Sequence, residues 1–211
     1  MHSIAPPGAV SATRGGATAW LAACTAAALG ALAATQAPSA ALDWQPALAG
    51  TQPWRLITSA WVHLSTQHLL MNLGGCALVG LLGWRAELPP RATLAWALAW
   101  PLTHLGLLLQ PALLHYGGLS GVLHAAVAIV ACHLMWGSGV RQHRLIGALL
   151  AIGLVVKVLL EAPWSGAVRA VPGWDFALAP AAHASGVVAG VIAWRLIGRA
   201  PRPNSAAGSQ A

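Results

Sequence analysis

Apolar residues along this 211-residue chain gather into six runs, at roughly 17–36, 67–84, 92–109, 119–136, 144–161 and 180–198. Each is close to the ~20 residues that a helix needs to cross a bilayer. The first run, AWLAACTAAALGALAAT, is alanine-rich and follows a stretch whose only formal charge is Arg14. It has two readings, a signal peptide followed by small residues around 38–41, or a retained helix. Its length exceeds a typical signal-peptide core and favours the retained helix. The pattern divides the chain into a short segment 1–16, a six-helix membrane domain 17–198 and a polar tail 199–211. The tail contains Pro and Ser, and its composition predicts disorder. Two of the connections, 38–66 and 162–179, are long and rich in aromatic residues (Trp44, Trp54 and Trp61; Trp164, Trp174 and Phe176). Such loops are expected to lie in the headgroup region.

Composition narrows the class further. Hydrophobic residues make up 57% of the chain and charged ones only 7%, against about a quarter charged in a soluble domain. Mean hydropathy is +0.67. A water-compatible surface cannot be built from so few charges. The chain is therefore read as an all-α membrane protein, with the lipid bilayer as its immediate partner. The net charge of +7 does not imply nucleic acid, because the basic residues stand at helix ends as topology signals. Arg14, Arg85, Arg91, Arg141, Arg144, Arg195, Arg199 and Arg202 fall on one side if there are six spans, leaving Arg55, Arg169 and Lys157 on the other. Both termini are thus expected to be cytoplasmic. Trp20, Trp84, Trp136 and Trp194 are expected at the cytoplasmic interface. Cys24, Cys76 and Cys132 lie far apart in apolar runs and are read as small packing residues. No cofactor or metal is expected.

Polar groups inside apolar spans are costly and need a reason. The second, fourth and sixth spans all begin on the outer side in this topology. Their first turns carry His68 and Asn72, then Ser120 and His124, then His183. At ~1.5 Å rise per residue all five share the outer third of a bilayer. His68 and Asn72 are four residues apart and share a helix face, as do Ser120 and His124. His183, Gly186 and Gly190 form one stripe whose GxxxG permits close helix approach. That stripe would let the sixth helix press on the fourth at Gly121 and carry an imidazole to Ser120. Gly117-Gly118-Leu119-Ser120-Gly121 sets Ser120 at a helix start, where free backbone N–H groups can stabilise an oxyanion. Asn72 and His68 supply side-chain donors. A serine needs a base to become nucleophilic, and His183 is the candidate. None of the four acids, Asp43, Glu87, Glu161 and Asp175, is expected to orient His183, so a Ser-His dyad is expected rather than a triad.

These residues resemble the pattern of the rhomboid intramembrane serine proteases over nearly the whole chain. Trp54-Arg55 through His63, His68 and Asn72 resembles the family's WR segment and H-x4-H-x3-N motif. Gly118-Leu119-Ser120-Gly121 resembles its GxSG nucleophile motif, and Ala182-His183 with Gly186 and Gly190 its AHxxGxxxG motif. The resemblance implies a rhomboid-like bundle of six transmembrane helices, Ser120 as nucleophile, His183 as base, His68 and Asn72 at the oxyanion site and a structural role for His63. Where many rhomboids carry a tyrosine stacked on the catalytic histidine, this chain has His124. Stacking on His183, donating to the site and acting as base are its three open roles, with support of His183 placed first.

The string GLSGVLH is similar to that of the rhombosortase subgroup. That similarity implies a bacterial inner membrane, a site toward the periplasm and substrates with a C-terminal Gly-Gly, transmembrane and basic anchor. Two other functions compete. One is a non-catalytic rhomboid-like binder of membrane segments, which would typically have lost the serine or the histidine. The other is a haem carrier held by histidines such as His68, His124 and His183, which would leave Ser120 and the glycines unexplained. His104, His115 and His133 lack motif context and are read as structural.

Overall fold

The computed structural model describes residues 7–199, with side chains from residue 15 onward. The expectations for residues 1–6 and 200–211 lie outside the described residues. The described chain is helical, with no strand and only two isolated bridges, Trp44 with Tyr116 and Arg169 with Leu178. Its long helices are α1 (Pro7–Ala34), α2 (Thr66–Arg85), α3 (Pro90–Leu105), α4 (Ser120–Trp136), α5 (Arg141–Leu160) and α6 (Pro180–Ala193). A π turn, Trp194–Gly198, extends α6. Each apolar run in the sequence overlaps one of these helices, and α1 begins well before residue 17.

Four described helical stretches are long and apolar enough to cross a membrane: Gly15–Ala34, Pro90–Leu109, Arg141–Leu160 and Pro180–Gly198. Ser120–Trp136 is apolar but shorter. Helix α2 is as long as α5 but opens with Gln67, His68 and Asn72. The protein is a multi-pass membrane protein, and its surface shows the solvent it is built for. Along α5 the side chains of Leu145, Leu149, Ile152, Val156 and Leu159 are all exposed.

Helix α4 is the centre of the fold. It packs chiefly against α6 and α5 and buries Val122, Ala125, Ala126, Ile129 and Val130 on almost every side. A helix apolar all round belongs in a core. Around it, α1 presents Trp20, Cys24, Ala27 and Ala31 as one buried stripe, at spacings of four, three and four residues. The indole of Trp20 packs on Trp96 at 5.0 Å between ring centroids and donates to the Val79 carbonyl at 2.9 Å. Trp20, Trp44 and Trp194 are fully buried. They are core residues, contrary to the interfacial position expected from sequence, because each ring packs within a cluster of buried side chains. Trp84 and Trp136 are exposed, as an anchor at a membrane surface would be.

Two connecting segments flank the start of α4, the first of them built from short helical turns between residues 39 and 61. The connection after α1 carries a buried ion pair, Arg55 with Asp43 at 2.9 Å. Its guanidinium also donates to the Asp43 carbonyl, the Ala40 carbonyl and Gln52. That connection then receives residues 116–119, which are buried and irregular. Backbone away from water must find partners, and here it does. Trp44 and Tyr116 exchange N–H···O bonds of 2.7 and 3.0 Å, and Gly118 N–H donates to the Ser59 carbonyl at 3.0 Å.

Candidate active site

Ser120 is the first residue of α4, reached through Gly118 at φ 131°. A side chain is strained there, and a Cβ would also stand 2.6 Å from Nε2 of His68. The glycine thus lets the chain turn into the helix while His68 closes on it. His68 lies on the first turn of α2, where Ser65 caps the helix by accepting from His68 N–H at 3.1 Å. Leu64 N–H donates to His68 Nδ1 at 3.4 Å, which leaves the proton of the neutral ring on Nε2, the nitrogen facing Gly118. Asn72, one turn on, bonds the His68 carbonyl at 3.2 Å, and its Nδ2 lies 3.7 Å from the same Gly118 position. Both donors are buried. The expected pair, His68 and Asn72, therefore meets the turn that leads into Ser120.

His183 comes from the first turn of α6, which Pro180 opens at a position where a missing N–H costs nothing. Its Nε2 is 2.9 Å from Ser120 Oγ. The glycines make this approach possible. A Cβ on Gly186 would stand 2.8 Å from the Gly121 carbonyl carbon, and one on Gly190 2.9 Å from Ala125 Cα. From the other side, a Cβ on Gly121 would stand 2.8 Å from the Ala182 carbonyl oxygen. Two helices without bulk at these levels bring their backbones together. His124 stacks on His183 with ring centroids 4.2 Å apart and planes 10° from parallel. Its Nδ1–H bonds the Ser120 carbonyl at 2.6 Å. Of the three roles left open for His124, the geometry matches ring support. Stacked face to face, the two imidazoles do not aim their nitrogens at a common centre, as a haem sandwich would require.

One sequence expectation is overturned. Glu161 does reach His183: its Oε2 is 2.6 Å from Nδ1, and its Oε1 is 2.6 Å from Nζ of Lys157. Glu161 caps the C-terminus of α5, and the next residue, Ala162, has φ 50°. That left-handed residue ends the helix abruptly and leaves the carboxylate at the level where α6 begins. Burial alone would raise the Glu161 pKa, but the bonds and charges of His183 and Lys157 hold it down to about 2. The side chain is ionised at neutral pH.

Two further residues were not singled out from sequence as part of the site. The Tyr116 hydroxyl donates to the Gly118 carbonyl at 2.9 Å and faces Ser120 and the Gly121 N–H, while burial pushes its pKa up. The Gly121 N–H, expected to be an oxyanion donor, therefore has Tyr116 as a neighbour. Phe176, from the connection between α5 and α6, stacks on His68 at 4.1 Å. Its loop is tied to the start of α2 by Ser65 to Asp175 at 2.6 Å and Gln67 to Gly173 at 3.1 Å. His63 bonds the Trp61 carbonyl at 3.0 Å and meets the His68 ring edge-on. His104 bonds the Leu56 carbonyl, His115 bonds Asp43 and His133 packs on Trp194, all away from Ser120.

The arrangement has a hydroxyl, an imidazole within hydrogen-bonding distance of it and polar hydrogens converging from a second helix. Such a constellation suits acyl transfer. A family model described as a rhomboid domain matches residues 50–200. RHOMBOID-like protein 6, mitochondrial, of Arabidopsis thaliana is 38% identical over 53 residues, 25% of this chain and 17% of that protein. The matched stretch is thus a small part of that relative.

Proposed function

The chain belongs to the rhomboid family, whose members are generally intramembrane serine proteases, and from that premise we propose that it cleaves peptide bonds of membrane-anchored proteins with Ser120 as nucleophile and His183 as base. The observation that carries this reading is the 2.9 Å contact between Ser120 Oγ and His183 Nε2. Ser120 Oγ attacks the scissile carbonyl carbon as its proton passes to Nε2. The carbonyl π pair moves onto oxygen, where His68 Nε2–H, Asn72 Nδ2–H and first-turn N–H groups of α4 receive it. The C–N bond then breaks, and the Nε2 proton goes to the leaving amine. Water, deprotonated by His183, attacks the acyl carbon, and Ser120 leaves with the returned proton.

The narrower reading is a rhombosortase-like enzyme. The ring of His124 on His183, in the string GLSGVLH, supports it. Its substrates are exported proteins held by a C-terminal Gly-Gly, transmembrane and basic anchor. The chain crosses a bacterial inner membrane six times, with both termini cytoplasmic and Ser120 toward the periplasm. The membrane domain spans 17–198, between a short cytoplasmic segment 1–16 and a tail 199–211. Labelling by a fluorophosphonate probe tests the chemistry. The expected result is one covalent adduct on Ser120, absent in Ser120→Ala, with cleavage of an anchored reporter lost in Ser120→Ala and His183→Ala while both remain folded. Undiminished cleavage by Ser120→Ala would overturn the assignment.

A further inference from the structure

We propose that Glu161 is a positioning residue for His183, so that Ser120, His183 and Glu161 act as a three-membered relay; this rests on the proteolytic reading above. An imidazole can serve as base only if the nitrogen facing the serine carries a lone pair. A carboxylate 2.6 Å from Nδ1 accepts a hydrogen bond and so keeps the ring proton on Nδ1. Nε2 is then bare, on the side of Ser120. When Nε2 takes the serine proton, the ring becomes a cation with Nδ1–H still bonded to Glu161. No proton leaves Nδ1, and the carboxylate stabilises the charge in place.

The bland alternative is that Glu161 merely pairs with Lys157 four residues earlier on an exposed helix, an interaction worth about 0.3–0.5 kcal/mol. Two facts go beyond it. The two carboxylate oxygens are divided, Oε1 to Lys157 and Oε2 to His183, so the pairing with Lys157 leaves an oxygen for the imidazole. The His183 side chain is 5% exposed and that of Glu161 16%, which shields the contact from water and screening. The groups around His183 are Ser120 and His124 from α4, Glu161 at the end of α5 with Lys157 on its far oxygen, and His68 from α2. Only Glu161 favours the imidazolium by charge. Lys157 opposes it.

The test is the pH dependence of reporter cleavage by the full chain and two variants. Glu161→Gln removes the negative charge and offers an amide that can donate to Nδ1, trapping the wrong tautomer. The expected result is a fall in kcat of about 10²- to 10⁴-fold, KM little changed, and an acid limb moved to lower pH. Lys157→Met removes an exposed cation and should move the acid limb the opposite way, to higher pH. This second variant keeps the proposal testable if Glu161→Gln folds poorly. Acid limbs in both variants that coincide with the wild type, or a Glu161→Gln enzyme with wild-type kcat, would overturn it. Fluorophosphonate labelling separates the two levels. If Ser120 labels in the wild type but both limbs stay fixed, only the role of Glu161 fails. If Ser120→Ala still cleaves, the proteolytic reading itself fails.

Discussion

Alanine at Gly186 tests how the base is brought to the nucleophile. A Cβ there would stand 2.8 Å from the Gly121 carbonyl carbon and 3.4 Å from Ala125 N. Carbon atoms pack at about 3.5–4.0 Å, and both neighbours are backbone, so neither can rotate away. Helices α4 and α6 must separate by about 1 Å. The Ser120–His183 contact starts at 2.9 Å, and about 1 Å more takes it past hydrogen-bond range. A misplacement of that size costs about 10²-fold in rate. Overpacking should cost about 1–3 kcal/mol, partly offset by about 1 kcal/mol of gained helix propensity. The thermal midpoint should therefore fall modestly. The assay pairs reporter cleavage with the rate of fluorophosphonate labelling, using Gly74→Ala and Gly153→Ala as controls because no atom lies within 4 Å of a Cβ at either. A Gly186→Ala protein that labels and cleaves at the wild-type rate would refute the idea that the glycine stripe sets the catalytic distance.

His124→Ala removes the ring stacked on His183 at 4.2 Å. A stacked pair contributes about 0.5–1.5 kcal/mol, so kcat should fall roughly 2- to 12-fold and His124→Phe should restore most of it. An inactive His124→Ala beside a fully active His183→Ala would reverse the assignment of the base. Arg55→Ala leaves Asp43 buried without the cation 2.9 Å away and should cost about 3–5 kcal/mol, read as a lowered thermal midpoint. Replacing both residues with apolar ones of similar volume should cost less than this single change.

The helices were legible because lipid demands long apolar runs, and every run overlaps one. Ser120, His183, His68 and Asn72 were legible because helix periodicity and a shared depth leave few ways for polar groups in an apolar chain to be satisfied. Glu161 was not. Four residues after Lys157 it reads as an exposed ion pair, and its contact with His183 spans 22 residues of sequence through a turn set by the φ of Ala162. Local patterns do not report such a turn. The tryptophans misled for a different reason. An amphipathic ring suits both an interface and a gap between helices, and only packing distinguishes Trp20, with its bond to Val79, from the exposed Trp84. Tyr116 went unmarked because its hydroxyl matters only once Gly118 has folded the chain back.

The bridge between Trp44 and Tyr116 bears on how the protein is born. Ribosomes release the N-terminal part first, so the mould for the serine turn exists before the turn does. The imidazole lies 63 residues beyond Ser120 and arrives with α6. On the proposed mechanism, a chain that has inserted α4 but not yet α6 holds its hydroxyl in shape without a base beside it.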